Sequence, residues 1–117
     1  MDGATRYHSG LAAEASVLRH YTQAGAHCLA ERWRGRAGEI DLIFQQREGV
    51  IFVEVKRAAT IARAAERLGP RQTMRLLRAA EEYLSQLPAG LSSPSRFDVA
   101  LVDATGHVET LQNALMA

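Results

Sequence analysis

From Leu11 the apolar positions recur at helical spacing through Ala15, Leu18 and Tyr21 or Thr22, with Ser9 placed to cap the start and Gly25 to close the end. This spacing predicts a first helix over about 9–24. Beyond Gly25 the pattern changes to strands: His27–Trp33, a turn at Arg34–Gly38, then Glu39–Phe44 and Val50–Lys56 joined as a hairpin around a polar loop. Residues 57–69 are rich in Ala and Arg and fit either a short helix or a mobile loop, closed by Gly69-Pro70. After Pro70, Met74, Leu77, Ala80 or Glu81 and Leu84 mark an amphipathic helix over about 71–87. Residues 88–95, rich in Pro, Gly and Ser, read as an internal linker before strands at 97–102 and 108–111. The order α-β-β-β-α-β-β predicts an α/β or α+β sandwich with a mixed sheet and helices against it.

The chain has 117 residues, about one domain's worth, since single cores usually hold roughly 100–150 residues. A single domain over 1–117 is therefore expected. With 47% hydrophobic and 23% charged residues, the composition excludes a disordered tail, a collagenous chain and a disulfide scaffold. The apolar runs are shorter than the roughly 18 residues of a membrane span, and Met1–Gly10 lacks the apolar stretch of a signal peptide. A cytoplasmic protein with no membrane partner is expected. Cys28, the one cysteine, excludes an internal disulfide and a multi-cysteine zinc site, and is expected to fill core space. His8, His20, His27 and His107 are scattered, so only hard oxygen ligands are left as candidates for a metal.

A net charge of +1 conceals an uneven distribution. Lys56, Arg57, Arg63, Arg67, Arg71, Arg75 and Arg78 face a single acid, Glu66, between positions 56 and 78. Such an excess suits a phosphate backbone, although a solvated Arg-rich face would look the same. Lys56 is the only lysine, which marks a position suited to a compact, titratable ammonium instead of a planar guanidinium.

Alternation along the strand at 50–56 puts Val50, Phe52, Glu54 and Lys56 on one face and Ile51, Val53 and Val55 on the other. A two- or four-residue loop centred on Arg47-Glu48 would make paired positions sum to 95 and set Asp41 opposite Glu54; a three-residue loop would spoil this unless a bulge restored it. Two carboxylates so placed repel, and a divalent cation or Lys56 would compensate. Glu39 shares the Asp41 face, at the strand's edge. Glu14 falls on the apolar stripe of the first helix, where a metal, a water or an ion pair with Lys56 would account for it. Singly, each residue has a structural reading, such as Glu14 pairing with Arg19. Together they point to a site.

The stretches Gly38-Glu39-Ile40-Asp41-Leu42-Ile43, Phe52-Val53-Glu54-Val55-Lys56 and Arg96-Phe97-Asp98-Val99, with Glu14-Ala15 and Gly25 before them, resemble the YraN family. These small bacterial proteins have the restriction-endonuclease-like, or PD-(D/E)XK, fold and are similar to Holliday-junction resolvases. The resemblance covers roughly Gly10 to Val102. It implies a three-layer sandwich, a mixed central sheet flanked by helices. It also implies a Mg²⁺ or Mn²⁺ site from Asp41, Glu54 and the carbonyl of Val55, with Glu14 as an outer or additional ligand, and Lys56 as the catalytic lysine. Gln72 falls where the family usually carries lysine and where related nucleases often use glutamine to orient the site. Arginine commonly follows the motif lysine by two residues, whereas here Arg57 comes at once and Ala58 follows.

The reading that follows is a metal-dependent nuclease acting on DNA, branched or structured, with Arg34, Arg36, Arg57, Arg63, Arg67, Arg71 and Arg75 holding backbone phosphates. The rival is a non-catalytic nucleic-acid-binding module of the same fold. Junction cutting wants two active sites, which makes a homodimer attractive.

Overall fold

The computed structural model describes residues 3–47 and 49–115. Its elements run α1 (Gly3–Gln23), β1 (His27–Arg34), β2 (Glu39–Gln46), β3 (Gly49–Arg57), α2 (Ile61–Ala65), α3 (Pro70–Ser85), a 3₁₀ turn (Gly90–Ser92), β4 (Ser95–Val102) and β5 (Val108–Leu111). The strands lie in chain order in one sheet, with β3 and β4 parallel and the other neighbours antiparallel. Parallel neighbours require a long crossover, which α2 and α3 supply.

Alternation along β3 sorts the core into two clusters. Val50 and Phe52 pack with Leu76, Ala79, Ala80 and Leu84 of α3 and with Ala64 of α2. Ile51 and Val53 pack on the opposite face with Ala13, Val17 and Tyr21 of α1, with Val55 at the margin. The result is a three-layer sandwich. Burying each large apolar side chain of these clusters contributes about 1.5–3 kcal/mol.

Several local expectations change. α1 starts at Gly3, so Ser9 lies inside the helix and does not cap it. Its buried stripe is Ala13, Val17 and Tyr21, packed in the cluster on the α1 face of the sheet, with Leu11 and Leu18 only half-buried. Gly25 does close the helix. At φ +97° it occupies the left-handed position, with Ala26 N–H donating to Tyr21 O and Gly25 N–H to Thr22 O. Residues 57–69 contain the short helix α2, whose first turn is capped by Thr60 Oγ1 accepting from Arg63 N–H. Cys28 is exposed, not in the core, because β1 is an edge strand with mostly exposed positions and a bulge between Cys28 and Ala30. The linker at 88–95 includes the 3₁₀ turn.

Candidate active site

The β2–β3 hairpin has the two-residue connection that the summing rule requires. Pairs run from Gln46 opposite Gly49 to Leu42 opposite Val53, and Arg47 adopts φ +51°, as a tight two-residue hairpin turn demands. Glu48, the second loop residue, lies outside the described residues. The same register brings Asp41 and Glu54 next in line, but the main-chain pairing stops at Leu42. There the Val55 N–H donates to Asp41 Oδ2 at 2.7 Å, so a carboxylate takes the place of a ladder carbonyl. Facial alternation resets at the same residue, since Leu42 packs on the α1 side whereas Ile40 and Ile43 pack on the α3 side. β3 continues in register with β4 as far as Arg57 opposite Val102. A gap thus opens between β2 and β3 while β3 stays anchored, and polar side chains occupy it.

Three of them form a closed ring. Lys56 Nζ lies 3.0 Å from Glu54 Oε2 and donates to Gln72 Oε1 at 2.9 Å, and Gln72 Nε2 donates to Glu54 Oε2 at 2.8 Å. The partners fix the amide's orientation, because an ammonium only donates and a carboxylate only accepts. Both charged members are well covered, with side-chain exposures of 15% for Lys56 and 6% for Glu54. Asp41 has a different environment. Burial first, and then the neighbouring Glu54 carboxylate, push it up to about 8, against the lowering effect of the Val55 N–H and Lys56.

Glu14 reaches the same neighbourhood from α1. Burial and the Asp41 charge raise its pKa, while Arg32 opposes them. Arg32 Nε lies 3.2 Å from Glu14 Oε2, yet that buried oxygen accepts no hydrogen bond among the described residues. Arg32 occupies the position that the β1–β2 register sets opposite Asp41, and its φ of +50° is unusual for a side-chain-bearing residue. Nothing in the residue pattern marked it. The carboxylates of Glu14, Asp41 and Glu54 are not gathered as a set of three metal ligands; among the described residues no three His, Cys, Asp or Glu are.

The basic residues divide into separate groups. Arg34, Arg36 and Arg75 line a cleft between the β1–β2 turn and α3 whose wall includes Gln72. Arg71, Arg75 and Arg78 are exposed along α3. Arg57 and Arg67 line a second pocket beside α1, and Arg63 and Arg67 border a shallow depression with Glu66. Asp98 of the third motif is not part of the candidate site. It is fully buried and accepts from Tyr21 Oη at 2.7 Å, from Arg96 Nε at 3.1 and 3.2 Å and from Asn113 N–H at 2.9 Å. Burial and that carboxylate raise the Tyr21 pKa, so the phenol stays a donor. This motif ties α1 to β4.

Comparison with known proteins places these features in a family. The uncharacterised protein family UPF0102 matches residues 13–102, a span that includes Glu14, Asp41, Glu54, Lys56 and Gln72. A UPF0102 protein of Ruegeria pomeroyi is 56% identical over 111 residues, covering 94% of this chain and 90% of the relative. One from Roseobacter denitrificans is 50% identical over 113 residues, covering 97% and 88%. Another, from Cereibacter sphaeroides, is 50% identical over 117 residues and covers both chains fully. On these matches the chain belongs to the uncharacterised protein family UPF0102, in keeping with the resemblance carried by its motifs.

Proposed function

We propose that the protein is a metal-dependent phosphodiester hydrolase acting on DNA, with branched or otherwise structured DNA as the favoured form. The observation that carries this reading is the gap at Asp41. Two carboxylates, a covered lysine and an orienting amide meet there on the sheet, at the point where β2 leaves β3. A purely structural ion pair would not need the second carboxylate, which is costly to ionise in its place.

The residues fit Mg²⁺ or Mn²⁺. Asp41 and Glu54 offer hard oxygen donors, Glu14 Oε2 is buried with no hydrogen bond among the described residues, and a pair of carboxylates suits an ion that keeps water and substrate oxygens as its other ligands. Asp41, Glu54 and the Val55 carbonyl would hold the ion, with Glu14 as an outer or additional ligand. When bound, the ion would supply Lewis-acid stabilisation of charge developing on the phosphoryl oxygens. Lys56, which pairs with Glu54 and donates to Gln72, is placed to steady the same charge. Gln72 holds Lys56 and Glu54 in fixed relation and acts as a positioning residue. The surrounding arginines would hold backbone phosphates without reading bases.

The test is calorimetric titration of Mn²⁺ into the wild-type protein and Asp41→Ala, followed by cleavage of labelled single-stranded, duplex and four-way-junction DNA. The expected result is metal binding that disappears in the variant, and cleavage of at least one substrate that falls by about 10³-fold or more. DNA affinity should stay largely intact in both Asp41→Ala and Glu54→Ala. Absence of metal binding at millimolar Mn²⁺ would overturn the reading, and the protein would then be treated as a non-catalytic nucleic-acid-binding module.

A further inference from the structure

The β1–β2 turn is held down on α3 in a way that the carboxylate site does not need. Glu82 Oε1 accepts from the Arg36 N–H at 2.8 Å, and Gly35 N–H donates to Gly38 O at 2.9 Å. The approach is so close that a Cβ on Gly35 would lie 2.7 Å from Glu82 Oε1 and 2.8 Å from the Trp33 ring. A side chain there would force Glu82 or the Trp33 ring to shift. Trp33 in turn meets Tyr83 edge-on, with ring centroids 5.4 Å apart. α3 therefore grips the turn through two successive residues, Glu82 and Tyr83.

The grip sets the backbone from which Arg34 and Arg36 extend towards Arg75. Arg34, Arg36 and Arg75 line one cleft of about 450 Å³ with Gly35, Gly38, Glu39, Gln72 and Leu76. Arg34 is partly neutralised by Glu39, at 3.3 Å. Among the described residues, neither the Arg36 nor the Arg75 guanidinium makes an ion pair or hydrogen bond. Glu82, the other acid nearby, spends an oxygen on the Arg36 main chain. The cleft thus has an excess of positive charge, delivered by planar donors that match phosphate geometry. Its wall at Gln72 is the residue that bonds both Lys56 and Glu54. Arg75 stands three residues further along α3, about one helical turn or ~5 Å away.

We infer that this cleft is a second phosphate subsite, which seats the phosphodiester next to the reacting one on the same nucleic-acid strand, and that Gly35 and Glu82 are its positioning residues. The inference rests on the nuclease reading and narrows it. The substrate must be a strand that offers a flanking phosphate, and a lone phosphomonoester leaves the cleft empty.

The experiment measures binding of a fluorescently labelled DNA duplex by anisotropy at several salt concentrations, in chelator, so that no cleavage intervenes. Arg36→Ala/Arg75→Ala should flatten the dependence of log K on log salt by about 2, roughly one unit per lost phosphate contact. The control Arg19→Ala/Arg47→Ala removes the same charge from other elements and should leave the slope closer to wild type. Glu82→Ala should reproduce part of the loss and Glu82→Gln, which keeps the acceptor for the Arg36 N–H, should restore it. If wild type binds DNA and the cleft and control pairs change the slope equally, the subsite is overturned while the nuclease reading stands. If wild type binds no DNA at all, both fall. Absent Mn²⁺ binding and cleavage with the slope effect intact would overturn the hydrolase and with it the placement of the cleft beside a reacting phosphate, leaving a phosphate-binding cleft only.

Discussion

Burial and the neighbouring Glu54 both oppose a charge on Asp41, and this makes the protein's stability sensitive to pH. Its carboxyl is pushed up to about 8 in the folded chain, against about 4 unfolded. A raised folded value means that the protonated form is favoured by folding. Stability from this group is full below about pH 4 and declines as pH rises towards about 8. Asp41→Asn keeps an oxygen to accept the Val55 N–H but removes the charge. In chelator its melting temperature is expected to fall less than that of wild type between pH 5 and 8, and the two should differ most at pH 8; thermal melts across that range check it. Gln72 gives a separate test. With its two bonds removed, Gln72→Ala should lower cleavage or metal affinity by about 10–100-fold while far-ultraviolet circular dichroism stays unchanged. Asp98 should behave as a structural residue, since Asp98→Ala strands the Tyr21 hydroxyl, the Arg96 guanidinium and an amide hydrogen together. A loss of about 3 kcal/mol in urea unfolding is expected.

The hairpin is where sequence and structure agree best. β3 alternates with a period of two, so the shared face of Glu54 and Lys56 followed from residue order, while the 95 register held only for a two- or four-residue loop, and the structure has the two-residue one. The break at Asp41 did not follow from residue order. A strand that leaves its partner is held by a side-chain acceptor and by packing from other elements, neither of which has a local signature. α1 shows the same limit: Leu11, Ala15 and Leu18 fit helical spacing as well as Ala13, Val17 and Tyr21 do, and only the sheet beneath selects between them. Glu14 was singled out by helical periodicity, whereas Gln72 was found only through the family resemblance. Arg32 and Glu82 could not be found, because each acts through a partner far away in the chain or in an unusual backbone conformation. Cys28 was misassigned because residue type favours burial, whereas an edge strand exposes it. Its thiol is therefore expected to react stoichiometrically with a thiol reagent in the folded protein, without denaturant.

For the whole molecule, charge arrangement matters more than net charge. The basic stretch at 56–78 is not one stripe, because α2 and α3 turn its arginines in different directions; a cleft, a pocket edge and an exposed helix face share them. A DNA duplex should accordingly bind with steep salt dependence despite the formal charge of +1. No described helix is long and apolar enough to cross a membrane. If junctions are the substrate, two sites are required, and sedimentation of the protein with and without junction DNA should show a dimer on the DNA. The parallel pairing of β3 with β4 sets one further condition. Glu54 and Lys56 are steadied on one side by residues 99 and 101, which leave the ribosome long after the hairpin has formed. A nascent chain can close the β2–β3 hairpin before β4 has been made, so the side chains of the candidate site are held in place only once residues 99 and 101 follow.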